Sequence, residues 1–151
     1  MSKPIQIPYG SGHLTFEGHY DGLLTSRIDT LKSDRPGVKI VEEAIANPIG
    51  SKPLRELAKG KKTCTIIISD HTRPVPSRDI LPPMLAELRK GSPDIDVTLL
   101  VATGFHRPTT TAELENKLGE EIAKREKIVV HDAFDAASNV EIGTKMVTCP
   151  L

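Results

Sequence analysis

Cys64-Thr65-Ile66-Ile67-Ile68 is a β-branched run with no solvent side, the pattern expected of a strand covered on both faces. Val97, Leu99, Leu100, Val101 and Ala102 form a second run of the same kind, and Ile128-Val129-Val130 a third. Between the first two, Leu81, Met84, Leu85 and Leu88 recur at helical spacing, with Pro82 tolerable only in a first turn. Between the second and third, Leu114, Leu118 and Ile122 form the inward stripe of one further helix. Strand, helix, strand, helix, strand, joined by right-handed crossovers, predicts an α/β, Rossmann-like three-layer domain with a mainly parallel sheet.

Upstream of this core the period changes. Val38, Val41, Ala44 and Ile45 share one face of a helix that starts near Pro36 and ends at Asn47-Pro48. Leu54, Leu57 and Ala58 belong to a shorter one stopped by Gly60. The N-terminus reads as a β-hairpin, with Ile5 and Ile7 alternating before a turn at residues 9–12 and Leu14 and Phe16 alternating after it. Gly10-Ser11-Gly12 lacks the third glycine and the following helix of a dinucleotide fingerprint, so it is read as a turn. Residues 18–35 are irregular, with a short strand expected near Leu23-Leu24.

Length and composition limit what the chain can do. Its 151 residues suit a single domain spanning 1–151, and Leu, Ile, Val and Phe together number 40, too many for a disordered chain. No apolar run approaches the roughly 18 residues of a membrane span, and Met1–Gln6 lacks the apolar stretch of a secretory signal. Twenty basic residues balance twenty acidic ones, and only five aromatics occur, so neither nucleic acid nor an anionic membrane is an expected partner. Cys64 and Cys149 form no Cys-x-x-Cys pair, and a reduced thiol in a cytoplasmic protein is the expectation.

Both strong strands run into loops rich in chemistry: Ser69-Asp70-His71-Thr72-Arg73-Pro74-Val75-Pro76-Ser77 and Thr103-Gly104-Phe105-His106-Arg107-Pro108-Thr109. Ligands of open parallel sheets bind outside the carboxyl ends of the strands, and sequential strands are usually neighbours. The two loops are therefore expected on one rim, bringing Asp70, His71, Arg73, His106 and Arg107 together. Arg73 offers a permanent planar fork for a carboxylate or phosphate, and His106 exchanges protons near neutral pH. Asp70 either accepts from ribose hydroxyls or holds its own turn. Asp70, His71 and His106 could instead ligate a metal, a weak pattern of two adjacent residues plus a distant one. Thr110 and Glu113 match a capping box and are read as structural, and Phe105 is expected to pack. His13 and His19 read as surface or structural residues, whereas His131 stays open because its strand ends on the same rim.

The two loops resemble the signature loops of the N-terminal domain of the lactate racemase family. The likeness extends through Asn47-Pro48-Ile49-Gly50-Ser51, Leu57-Ala58-Lys59-Gly60-Lys61 and Glu113-Leu114-Glu115-Asn116-Lys117, to about Gly143. It implies a racemase or epimerase of small 2-hydroxy acids that works by proton-coupled hydride transfer to a nickel-pincer nucleotide. On that resemblance His106 is a catalytic proton-transferring residue, while Asp70, His71, Thr72 and Arg73 contact the cofactor, Arg73 also reaching the substrate. The family's remaining cofactor, nickel and substrate contacts lie in a C-terminal domain that this sequence lacks, and Lys145–Leu151 departs from the family pattern. The chain alone is therefore expected to be inactive, to hold half a site, to retain no cofactor and to depend on the missing domain. Two other readings remain: a non-catalytic nucleotide- or anion-binding module, and a metal-dependent hydrolase built on Asp70, His71 and His106.

Overall fold

A computed structural model describes residues 3–31 and 33–140. The chain divides into two compact units, residues 1–34 and 35–151, each described by itself. The first unit buries none of its described residues, which is why it forms no core. Its strands β1 (Ile5–Tyr9) and β2 (Gly12–Phe16) pair antiparallel from Ile5 opposite Phe16 to Tyr9 opposite Gly12. Gly10, at φ +56°, makes the tight turn that the sequence called for. The strand expected at Leu23-Leu24 does not form; both leucines lie in exposed irregular chain, with a single 3-10 turn following at Ile28–Thr30.

The second unit holds the α/β core. Helix α1 (Gly37–Ala46) starts after Pro36 and stops before Pro48, and α2 (Leu54–Ala58) ends before Gly60 at φ +72°. Strands β3 (Thr63–Ser69), β4 (Asp96–Ala102) and β5 (Lys127–Val130) make a parallel sheet in the order β3-β4-β5. Helix α3 (Ser77–Gly91) crosses from β3 to β4, and α4 (Thr111–Leu118) with α5 (Glu120–Arg125) crosses from β4 to β5. Two right-handed crossovers that step the same way along a sheet must lie on the same side of it. The core agrees: Ile68, Val97, Leu99 and Val101 pack with Leu81, Leu85, Leu88, Leu114, Leu118 and Ile122.

Three details correct the sequence expectation. The third layer is not found among the described residues of this unit: the opposite face, with Thr65, Ile67 and Val129, is uncovered, and Ile67 is 70% exposed. The single helix expected over 114–122 is two, because Gly119 at φ +87° leaves the helical region between them. Helix α3 begins at Ser77, so Pro82 and Pro83 lie in its interior and remove two intrahelical donors. The buried stripe of Leu81, Leu85 and Leu88 holds the helix together across that gap. Cys64 is a half-buried free thiol against the core, while Cys149 and the Lys145–Leu151 stretch lie outside the described residues.

Gly91, the last residue of α3, marks the closest approach of α3 to α2. A Cβ at that position would run into the Arg55 carbonyl and sit 2.9 Å from the Ala58 Cβ. Helix propensity favours Gly91→Ala, but backbone overlap outweighs it, and the substitution should destabilise the fold by about 1–3 kcal/mol in urea unfolding. A stabilised variant would mean that α2 and α3 are not in this contact.

Candidate active site at the carboxyl rim of the sheet

β3 and β4 pair in step from Thr63 opposite Asp96 to Ser69 opposite Ala102, so their loops leave the sheet side by side. Asp70 begins the first loop and turns inward, only 2% exposed. Its Oδ1 accepts from the Thr72 N–H (3.1 Å) and the Thr72 hydroxyl (2.7 Å), and its carbonyl accepts from the Arg73 N–H (3.4 Å). In the second loop the His106 N–H donates to the Thr103 carbonyl (3.0 Å), with Gly104 at φ +56° forming the bend. That bend brings His106 Nδ1 to 2.5 Å from Asp70 Oδ2, while the imidazole stays 46% exposed.

The electrostatics of the pair follow. Burial alone would push the Asp70 carboxyl up; hydrogen bonds from the Thr72 hydroxyl, the His106 ring and the Thr72 N–H, with the charge of His106, outweigh it and hold the group at about 2. An ionised carboxylate can only accept, so the proton between the two groups belongs to His106 Nδ1. The neutral ring then carries its free lone pair on Nε2. Such an arrangement can accept a proton at Nε2 while the carboxylate holds the ring in one tautomer.

The other rim residues divide differently from the sequence expectation. Of the two roles open to Asp70, the geometry displays the turn-holding one, its inward carboxylate accepting from the Thr72 N–H and hydroxyl and meeting His106. His71 does not join the pair: its Nδ1 lies 3.2 Å from the Thr109 hydroxyl, and its Nε2 faces Glu113 at 3.8 Å. Arg107 is bound bidentately by Glu113 (2.9 and 2.6 Å), which also closes the capping box with Thr110 at the start of α4. The Arg107 guanidinium and the Thr110 N–H hold the Glu113 carboxyl well below its ordinary range, so this pair is structural. Phe105 does not pack inside; it is 84% exposed and meets the ring of Phe134, edge to face at 5.9 Å. His131 belongs to the scaffold, its carbonyl accepting from the Thr103 hydroxyl at 2.5 Å. Among the described residues no three metal-ligating side chains stand together, so the hydrolase reading on Asp70, His71 and His106 has no ligand set.

Arg73 and His106 stand on adjacent loops that leave neighbouring strands. Arg73 lines a groove of about 510 Å³ with His71, Ser77, Arg78, Asn116 and Lys117. The sequence reading missed the last four. Their signal was weak but present, since the first turns of α3 and α4 must sit on the same rim as the loops that lead into them.

Residues 9–151 match the family model of the lactate racemase N-terminal domain. The chain belongs to this family. The lactate racemase of Thermoanaerobacterium thermosaccharolyticum is 46% identical over 143 residues, which are 93% of this chain and 34% of that protein. That of Lactiplantibacillus plantarum is 46% identical over 142 residues, 92% of this chain and again 34% of the relative. The solved apoprotein from T. thermosaccharolyticum superposes with a TM-score of 0.78 at 44% identity, covering 94% of this chain and 33% of that one. The chain thus spans about a third of the length of the curated relatives it matches.

In this domain the Asp70 carboxyl is also a stability element. An aspartate titrates near about 3.9 in an unfolded chain, so a folded value of about 2 contributes on the order of 2 kcal/mol above pH 4. That contribution is lost as the pH falls toward 2. Asp70→Asn should therefore lower stability at pH 7 by on the order of 2 kcal/mol in urea unfolding, with the gap to wild type closing as the acid range is entered. A gap that stays constant down to the acid limit would show that the carboxylate charge is not what holds the turn.

Proposed function

We propose that this chain is the N-terminal part of a racemase or epimerase of small 2-hydroxy acids, with His106 as its proton-transferring residue. The observation that carries the reading is the 2.5 Å contact between buried Asp70 and half-exposed His106, in a chain 46% identical to lactate racemases. Inverting a carbon that bears a hydroxyl and a hydrogen needs a group that takes the hydroxyl proton and returns it. A neutral imidazole with Nε2 free and Nδ1 tied to a carboxylate is suited to that task. Asp70 is a positioning residue: it fixes the tautomer and stabilises the imidazolium formed when Nε2 takes the proton. Arg73, which has no carboxylate partner among the described residues, supplies a fork for the substrate carboxylate.

The family resemblance implies a nickel-pincer nucleotide, and the residues present fit its nucleotide part. Arg73 and His71 line an open groove beside the Asp70–Thr72 turn, and Arg73 is uncommitted. Nickel ligands would come from outside the described residues. When bound, the cofactor supplies the hydride acceptor, and the chain's own groups handle the proton, the carboxylate charge and orientation. The remaining two thirds of the relatives' length is needed for turnover, so the 151-residue chain by itself is inactive. A plain nucleotide- or anion-binding module would not need a carboxylate-tied imidazole at the rim, which favours the catalytic reading over that alternative.

In full-length protein containing this domain, His106→Ala should slow isotope exchange at the substrate α-carbon by about 10²- to 10⁴-fold without changing the far-ultraviolet circular dichroism. Exchange at the wild-type rate would remove His106 from the chemistry.

A further inference from the structure

Helix α4 holds both rim loops with two charged side chains one turn apart. Glu113 and Lys117 stand four residues from each other on one side of the helix, next to the buried Leu114 and Leu118. The Glu113 carboxylate accepts from the Arg107 guanidinium at 2.9 and 2.6 Å, and Arg107 is the residue that follows His106. Lys117 Nζ donates to the Arg73 carbonyl at 2.9 Å, and the Arg73 N–H in turn meets the Asp70 carbonyl. One helix face thus grips each loop close to its own member of the Asp70–His106 pair. The loops also touch directly, His71 Nδ1 lying 3.2 Å from the Thr109 hydroxyl.

Strand register sets the two loops at one level, ending at Ser69 opposite Ala102. Asp70 and His106 lie beyond those ends, so the last ångströms between them are left to the anchors of the loops. Helix α4 is a firm base for such anchors. Leu114 and Leu118 bury one side of it in the core, and the Thr110–Glu113 box fixes its first turn. The charges agree with this arrangement. Glu113 foremost, with Asp70 adding to it, strengthens the hold of Arg107 on its proton; burial weakens that of Lys117, and the Asp70 carboxylate opposes the loss. Both cations stand within electrostatic reach of the carboxylate whose place they help to set.

We propose that Glu113 and Lys117 are positioning residues of the proton-transfer site, holding the two loops so that Asp70 keeps the His106 ring in its Nδ1–H tautomer. The inference rests on the proton-transferring role proposed for His106. Each residue acts through the loop that it holds and takes no part in the reaction itself. Precise placement matters here, because a displacement of about 1 Å costs a proton-transfer site on the order of 10²-fold in rate.

The test is the nitrogen-15 imidazole spectrum of His106 in the 151-residue chain, recorded above the ordinary titration range of histidine. The wild-type ring should show a single Nδ1–H tautomer. Glu113→Gln keeps an acceptor for the capping box but gives up the bidentate carboxylate, and Lys117→Met keeps the aliphatic stem but gives up the donor. Each should replace the single tautomer with a mixture, and Lys117→Arg should restore it. Arg89→Gln breaks the ion pair with Glu126 at the other end of the sheet. It should lower stability while leaving the His106 ring as in wild type, which separates positioning from a general loosening of the fold. In full-length protein containing this domain, Glu113→Gln and Lys117→Met should slow isotope exchange at the substrate α-carbon about tenfold. A His106 ring unchanged in both variants, or disturbed equally by Arg89→Gln, would overturn the proposal. Its failure is distinct from that of the racemase reading: normal exchange in His106→Ala removes the chemistry and leaves the ring result standing, whereas an unaltered ring removes the role of α4 alone.

Discussion

Asp70 and His106 are 36 positions apart, and they meet because β3 and β4 cannot slide past each other. Cys64, Ile66 and Ile68 face the same side as Val97, Leu99 and Val101, and that side is packed against α3 and α4. A slip of one residue would turn Thr65 and Ile67 into the core and send Ile66 and Ile68 out of it. The aliphatic stripe thus fixes the register, and the register ends both strands at one level. Everything at the rim inherits its position from that pairing.

The same constraint explains how the domain tolerates a buried carboxylate. An unpaired charge at that depth would be strongly unfavourable, but Asp70 receives two hydrogen bonds from Thr72 and one from His106. Neither partner is fortuitous: Thr72 lies two residues on in the same turn, and His106 is delivered by the bend at Gly104. The turn also reaches the neighbouring groove, since the Arg73 N–H bonds the Asp70 carbonyl and Lys117 bonds the Arg73 carbonyl. The turn whose carboxylate meets the imidazole therefore also borders the cationic groove.

Much of this was legible in the amino-acid order, and for physical reasons. Strands β3, β4 and β5 announced themselves because consecutive aliphatic residues have few other places to go, and the Thr110–Glu113 cap because its signal is local. The placement of Asp70 and His106 on one rim followed from strand adjacency alone. What could not be read depended on contacts distant in sequence. Ile67 and Leu100 are written the same way whether a layer covers them or not. Gly119 fits inside a weak helix or between two short ones. His71 and Arg107 looked like members of the reactive cluster because nothing local reveals that Glu113 takes both. Phe105 looked like a core residue because an exposed phenyl ring is the exception in a folded chain.

Net charge illustrates the same division between global and local information. Twenty acids against twenty bases argue against a long-range field. At physiological salt, exposed charges are screened over about 8 Å, so what a small anion meets is set by the few side chains within that distance. Glu113 silences Arg107, and Glu126 silences Arg89 and Arg125, while among the described residues no carboxylate forms an ion pair with Arg73, Arg78 or Lys117. A neutral protein thus presents a locally cationic groove next to a carboxylate-tied imidazole. The pairing pattern, and not the sum, decides what the rim can hold. Because the acids are used up elsewhere in the fold, recognition there is short-ranged and has to be made by direct contact.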